Sequence, residues 1–210
     1  LGLPPEFRLA YLPDFNLVRL RISAVAISGD YTYERIEVKI QELKKVLGDA
    51  IISLEDLPLE QLVIEKLITT KQLLATAESC TGGYLAHRIA SVPGSSACYK
   101  GSIVAYHNEV KESVLQIDSL LISQHGAVSK VVAEAMASNV RKLLNVDLAL
   151  ATTGVAGPSG GTCNKPIGTV WVCLATPDSV VSKEFRFTLE RKLNIERTAQ
   201  VAMLLLLDYL

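Results

Sequence analysis

The sequence has no Cys-x-x-Cys pair. Its four cysteines, Cys80, Cys98, Cys163 and Cys173, are scattered, and His87, His107 and His125 show no metal-ligand spacing. This leaves little basis for a zinc or dithiol redox site. Isolated cysteines in a mostly apolar chain read instead as reduced small hydrophobes, which fits a cytoplasmic location. No apolar run reaches the roughly 18 residues of a membrane-spanning helix, and no secretory leader stands at the front. An excess of one charge is missing too. The 21 Lys and Arg against 22 Asp and Glu leave a net charge of -1, so there is no general attraction to nucleic acid or an anionic membrane. The phosphate-loop pattern Gly-x-x-x-x-Gly-Lys-Ser/Thr is absent, as are internal repeats and low-complexity tracts. The chain starts at Leu1 rather than Met, which leads us to expect a longer parent chain.

What the chain does have is apolar substance. Of 210 residues, 49% are hydrophobic, enough for the core of one medium domain with a small appendage. Residues 1–53 form the appendage. Phe7 to Leu12 and Leu17 to Ile22 alternate apolar and polar as half-buried strands do, with Pro13 and Asp14 at the turn. Ile36, Ile40, Leu43 and Leu47 give Tyr33 to Leu47 a helical period, and Ala50-Ile51-Ile52 reads as a short third strand. Residues 54–210 form the main domain. A helix from Pro58 to Thr70, with Asp56 as its cap, leads into alternating strands and helices. Strands are expected at 73–77, 99–106, 147–153, 169–176 and 181–187. Helices are expected at 83–90, 108–116, 117–124, 130–144 and 194–210, with Ser129 as a cap and Gly126 as a stop. The last two strands read as a hairpin around Pro177-Asp178. The pattern implies an α/β fold with a mixed sheet covered on both faces, binding ligand at polar loops on its strand ends.

Three polar clusters carry candidate chemistry. The first is Thr76-Ala77-Glu78-Ser79-Cys80-Thr81-Gly82-Gly83, a strand entering a helix. Its backbone N–H groups suit an anion or an oxyanion. Ser79 reads as a nucleophile or as a helix N-cap, and Cys80 as a rival nucleophile. Glu78 reads as a base or as a buried acceptor holding the turn. The second cluster runs from Val104 to Lys111. Serine needs a base, and a desolvated lysine can serve, so Lys111 is either that base or a solvated helix lysine. Tyr106 could relay the proton. The third is Thr152 to Gly161, closed by Lys165-Pro166-Ile167-Gly168-Thr169. Its glycines allow close backbone approach to an anion or simply make a long surface turn.

Taken in order with Pro93-Gly94-Ser95-Ser96 and His125-Gly126-Ala127-Val128-Ser129, these clusters resemble the CinA C-terminal domain, the nicotinamide-nucleotide amidase family, over about residues 55–210. The resemblance implies a three-layer α/β/α sandwich. It also implies removal of the amide from nicotinamide mononucleotide, giving nicotinate mononucleotide and ammonia in pyridine-nucleotide salvage. Neither metal nor cofactor is implied, and homo-oligomers are common in the family. Carried over by motif, Ser79 is the nucleophile, with Tyr106 and Lys111 activating it. Glu78, Cys80, Thr81, Gly82, Thr153, Gly154, Gly157 and Arg191 form the substrate-binding set. Two positions depart from the family pattern. Leu189 stands before Glu190-Arg191 where a glycine is usual, and His107 stands where serine is commoner. Residues 1–53 resemble the small KH-like linking segment of full-length CinA proteins. There it follows a molybdopterin-binding-like domain that this chain does not contain. The alternative from a different class is a catalytically silent nucleotide-binding or oligomerisation module of a competence/damage-inducible protein.

Overall fold

The computed structural model describes residues 4–25, 32–188 and 190–210. It divides into two compact units, Leu1–Leu57 and Pro58–Leu210.

In the first unit, strands β1 (Phe7–Asp14) and β2 (Leu17–Ala24) pair antiparallel, and helix α1 (Thr32–Leu47) follows. Pro13 and Asp14 lie within β1 rather than in the turn. Pro13 pairs with Val18, and the reversal falls at Phe15-Asn16, where Asn16 takes a left-handed φ of 54°. Asparagine tolerates that conformation better than most residues, so the turn sits there. Phe7 is buried beneath the Arg35 guanidinium, 5.2 Å from the ring centroid. The expected third strand at Ala50-Ile51-Ile52 does not form. Gly48–Ala50 is a 3₁₀ turn, and Ile51 and Ile52 pair with no strand among the described residues. Such a short apolar run carries no signal of its own for a sheet partner.

In the second unit, helix α2 (Leu59–Thr70) starts one residue late, with Pro58 in the cap position and no side-chain cap bond. Asp56 is therefore not the cap; its carboxylate meets Arg19 at 3.3 Å. The sheet contains β3 (Leu74–Glu78), β4 (Tyr99–Val104), β5 (Leu148–Gly154), β6 (Thr169–Ala175) and β7 (Val180–Arg186), in the order β4-β3-β5-β6-β7. β4, β3 and β5 run parallel, whereas β6 and β7 return antiparallel as a hairpin. The intervening helices are α3 (Tyr84–Ala90), α4 (Asn108–Ser113), α5 (Ser119–His125), α6 (Lys130–Leu143) and α7 (Arg191–Leu207).

The sheet's two faces have different textures. Ala75, Ala77, Ala149, Ala151, Cys173 and Ala175 pack in one core cluster with Val132, Ala133, Met136, Ala137 and Val140 of α6. Small sheet residues let this helix approach closely. The alternate residues, including Leu74, Leu148, Leu150, Val172 and Leu174, are buried as well. Strand alternation turns them to the opposite face, where α2, α3 and α7 pack together. The result is a three-layer α/β/α sandwich with a mixed sheet. Register aligns Glu78 with Val104 and with Thr152. The three polar clusters therefore emerge at one edge, the carboxyl end of the parallel strands, where open α/β sheets bind ligands.

Candidate active site at the carboxyl edge of the sheet

Glu78 organises the first cluster. Its side chain is fully buried, and its carboxylate accepts hydrogen bonds from the N–H groups of Gly83 (3.0 Å), Leu85 (3.0 Å) and Ala86 (2.8 Å), and from the Ser102 hydroxyl (3.3 Å). A negative group at the start of a helix satisfies orphan N–H groups and favours the helix dipole. The start of α3 is thus occupied by the protein's own carboxylate. It is not an open anion cradle.

Ser79 is not a helix cap either, because Gly83 holds that position. The Ser79 N–H donates to the Thr152 carbonyl at 2.8 Å, which continues the sheet ladder one residue past β3. Among the described residues its hydroxyl makes no hydrogen bond, although the residue is largely buried. In the following turn the Gly82 N–H donates to the Ser79 carbonyl at 3.2 Å. The Cys80 and Thr81 N–H groups donate to no oxygen among the described residues. The Thr81 hydroxyl meets that of Thr152 at 2.7 Å.

Cys80 and Lys111 share this dry environment. Burial pushes the Cys80 thiol up to about 12. The Glu78 carboxylate reinforces the shift, whereas the Cys80 backbone N–H, the Thr152 hydroxyl and the Lys111 charge oppose it. A thiol held protonated is a poor nucleophile. Lys111 is only 1% exposed and is the largest fully buried side chain among the described residues. Its Nζ donates to the carbonyls of Ala105 (2.8 Å) and Tyr106 (3.3 Å). Burial lowers its pKa below that of a free lysine, with Cys80 opposing. It is not a solvated helix lysine.

Tyr106 is 57% exposed, and its hydroxyl accepts from Arg191 Nη2 at 2.7 Å. Nη1 of the same guanidinium donates to the Gly157 carbonyl at 2.8 Å. Arg191 therefore joins the second and third clusters. Gly157 has a φ of 91°, and an added Cβ would lie 2.7 Å from the Ile167 side chain. Gly154 is packed against β6, where a Cβ would meet Val170 at 2.7 Å and the Thr169 carbonyl at 2.8 Å. Both glycines are required by local packing. Thr153 is fully buried, and its hydroxyl donates to the Ala127 carbonyl at 2.8 Å, tying down the loop between α5 and α6. His107 faces solvent and caps α4, accepting from the Glu109 N–H. Leu189 lies outside the described residues.

A cleft of about 970 Å³ opens beside the first turn. Thr81, Gly82 and Tyr84 line it on one side, Arg191 and Ile195 on another, and Pro158 and Ile167 close it. Ser79, Tyr106 and Lys111 are not among its lining residues; Thr81 and Gly82 line it from the Ser79 turn and Arg191 from the side that holds the Tyr106 hydroxyl. Two contributors have no assigned role in the sequence reading. Thr152 supports Ser79 and Thr81. Asn194, fully buried, donates from Nδ2 to the Ala156 carbonyl at 2.9 Å. An isolated asparagine on an apolar helix face was the available signal for it. Among the described residues no cluster of three or more His, Cys, Asp or Glu could hold a metal. No helix among them is long and apolar enough to cross a membrane.

A sandwich with this strand order and a serine turn, a buried lysine and a glycine-rich loop at one edge has well-defined relatives. The chain belongs to the CinA C-terminal domain family, whose model matches residues 56–210. It is 42% identical over 203 residues to a CinA-like protein of Flavobacterium psychrophilum, covering 96% of this chain and 49% of that protein. A CinA-like protein of Salinibacter ruber is also 42% identical, over 94% of this chain and 48% of its own length. The chain spans about half the length of these curated relatives. Among solved structures, the competence damage-inducible protein A of Klebsiella pneumoniae superposes with a TM-score of 0.70 at 32% identity, over 71% of this chain and 93% of that one. A CinA superfamily protein of Escherichia coli gives 0.70 at 28% identity, over 78% and 98%.

Proposed function

We propose that this chain is an amidohydrolase that deamidates nicotinamide mononucleotide, with Ser79 as nucleophile and Lys111 and Tyr106 as its activating pair. The observation that carries this reading is Lys111. Burying an amine against two carbonyls at the ligand edge of the sheet lowers its pKa and raises the share of neutral base at a given pH.

In the proposed sequence, Ser79 attacks the carboxamide carbon while its proton passes to Lys111, with Tyr106 as relay. Negative charge develops on the carboxamide oxygen. The Cys80 and Thr81 N–H groups are the proposed donors to it, since the Gly82 N–H is already committed to the Ser79 carbonyl. Losing one such donor typically costs roughly 10²–10³ in rate. The proton then passes to the amide nitrogen, ammonia leaves, and water frees nicotinate mononucleotide from the acyl-serine. Arg191 and the cleft hold the nucleotide, supplying orientation. Glu78, Thr153 and the glycines support the walls. The neutral Cys80 thiol weighs against it as nucleophile.

The test is incubation of the purified chain with nicotinamide mononucleotide, with and without a chelator. Stoichiometric ammonia and nicotinate mononucleotide, unaffected by chelation, are expected. Tight nucleotide binding with no product would replace this reading with the silent binding module.

A further inference from the structure

We infer that Arg191 is a positioning residue for Tyr106, so that one guanidinium serves both the phenol acting on Ser79 and the anionic end of the substrate. This rests on the amidase reading above and extends it. β4 ends at Val104, so no sheet ladder fixes Tyr106. Its ring is mostly exposed, and among the described residues its hydroxyl has one hydrogen bond, the one from Arg191. The Tyr106 carbonyl meets Lys111. The residue is thus held at its backbone by the base and at its side chain by Arg191.

The guanidinium is itself well placed for this. Arg191 and Asn194 lie one helical turn apart on α7 and share a face. They donate to the adjacent carbonyls of Gly157 and Ala156. Asn194 holds the glycine-rich loop without help from Arg191, so removing Arg191 unfastens the phenol and leaves the loop anchored. Among the described residues Arg191 pairs with no carboxylate. Arginine has five N–H donors. Two are used here, and those remaining can meet a phosphate in the cleft without releasing Tyr106. Lysine is a single point charge and cannot hold both acceptors in this fork.

Substrates with and without the phosphate separate the two roles. Turnover of nicotinamide mononucleotide and of the same nucleoside lacking phosphate would be measured for native protein, Arg191→Ala and Arg191→Lys. Loss of positioning predicts that kcat on the nucleoside falls roughly 10–100-fold in both variants. It also predicts partial restoration of Arg191→Ala by added guanidinium. A nucleoside kcat within about twofold of native would overturn the inference and leave Arg191 as a phosphate contact only. A second readout needs no turnover. In ring-labelled tyrosine spectra, the signal lost in Tyr106→Phe should shift in Arg191→Ala, while amide exchange at Val155 and Gly168, whose N–H groups donate to the Thr169 and Val155 carbonyls, stays protected. An unshifted signal overturns the inference even if the protein proves inactive, whereas inactivity with a shifted signal sinks only the amidase reading.

Discussion

At the scale of single residues, the carboxyl edge of the sheet sorts its polar groups by what surrounds them. Cys80 and Lys111 share one dry region, and burial drives both toward their neutral forms: the thiol keeps its proton and the amine gives one up readily. The consequence for activity has a definite sign. With Lys111 as the proposed base the neutral amine is the working form, so turnover should climb with pH through a folded-state pKa lying below the 10.5 of a free lysine. Lys111→Arg retains charge and donors but cannot act as a base near neutral pH. It should lose roughly 10²–10⁴ in kcat. Stability follows the same group. Between the folded pKa and 10.5 the unfolded chain binds the extra proton, so stability should rise with pH across that window. Urea midpoints against pH for native protein and Lys111→Met check it: the rise should be present in the former and reduced in the latter. Sequence alone did not disclose this burial, because the six-residue α4 offers too few positions for a period to reveal its inner face.

At the scale of elements, Glu78 fastens β3, α3 and β4 to one another. Glu78→Gln keeps the shape but replaces one acceptor oxygen with an NH₂ facing backbone N–H groups. It should cost about 1–3 kcal/mol, read as a lower urea midpoint with unchanged slope. Most elements were legible because their patterns were long. The sixteen-residue α1 has a clear period, the seventeen-residue α7 ends in a long apolar run, and the strand runs are bounded by Gly and Pro. Short segments misled. Ala50-Ile51-Ile52 pairs with no strand among the described residues, and Pro58 rather than Asp56 occupies the cap of α2. The three motifs were visible as motifs, but their joining was not. Arg191 and Tyr106 are 85 residues apart, and only the fold brings them within 2.7 Å. The choice between base and buried acceptor for Glu78 likewise depends on where α3 begins.

At the scale of the whole molecule, the unit Pro58–Leu210 contains the complete sheet, both helix layers and every residue assigned to the site. A fragment of residues 58–210 should therefore unfold in one cooperative transition by circular dichroism and, on the proposed amidase reading, release ammonia as the full chain does. Loss of the sheet signal in that fragment would show that the division into units is not energetic. The central claim remains that a serine, not its neighbouring cysteine, carries the chemistry. Ammonia release from nicotinamide mononucleotide by native protein, Ser79→Ala and Cys80→Ala tests it most directly. The account predicts turnover in the native and Cys80→Ala proteins and none above background in Ser79→Ala. Activity surviving in Ser79→Ala but lost in a folded Cys80→Ala would contradict it.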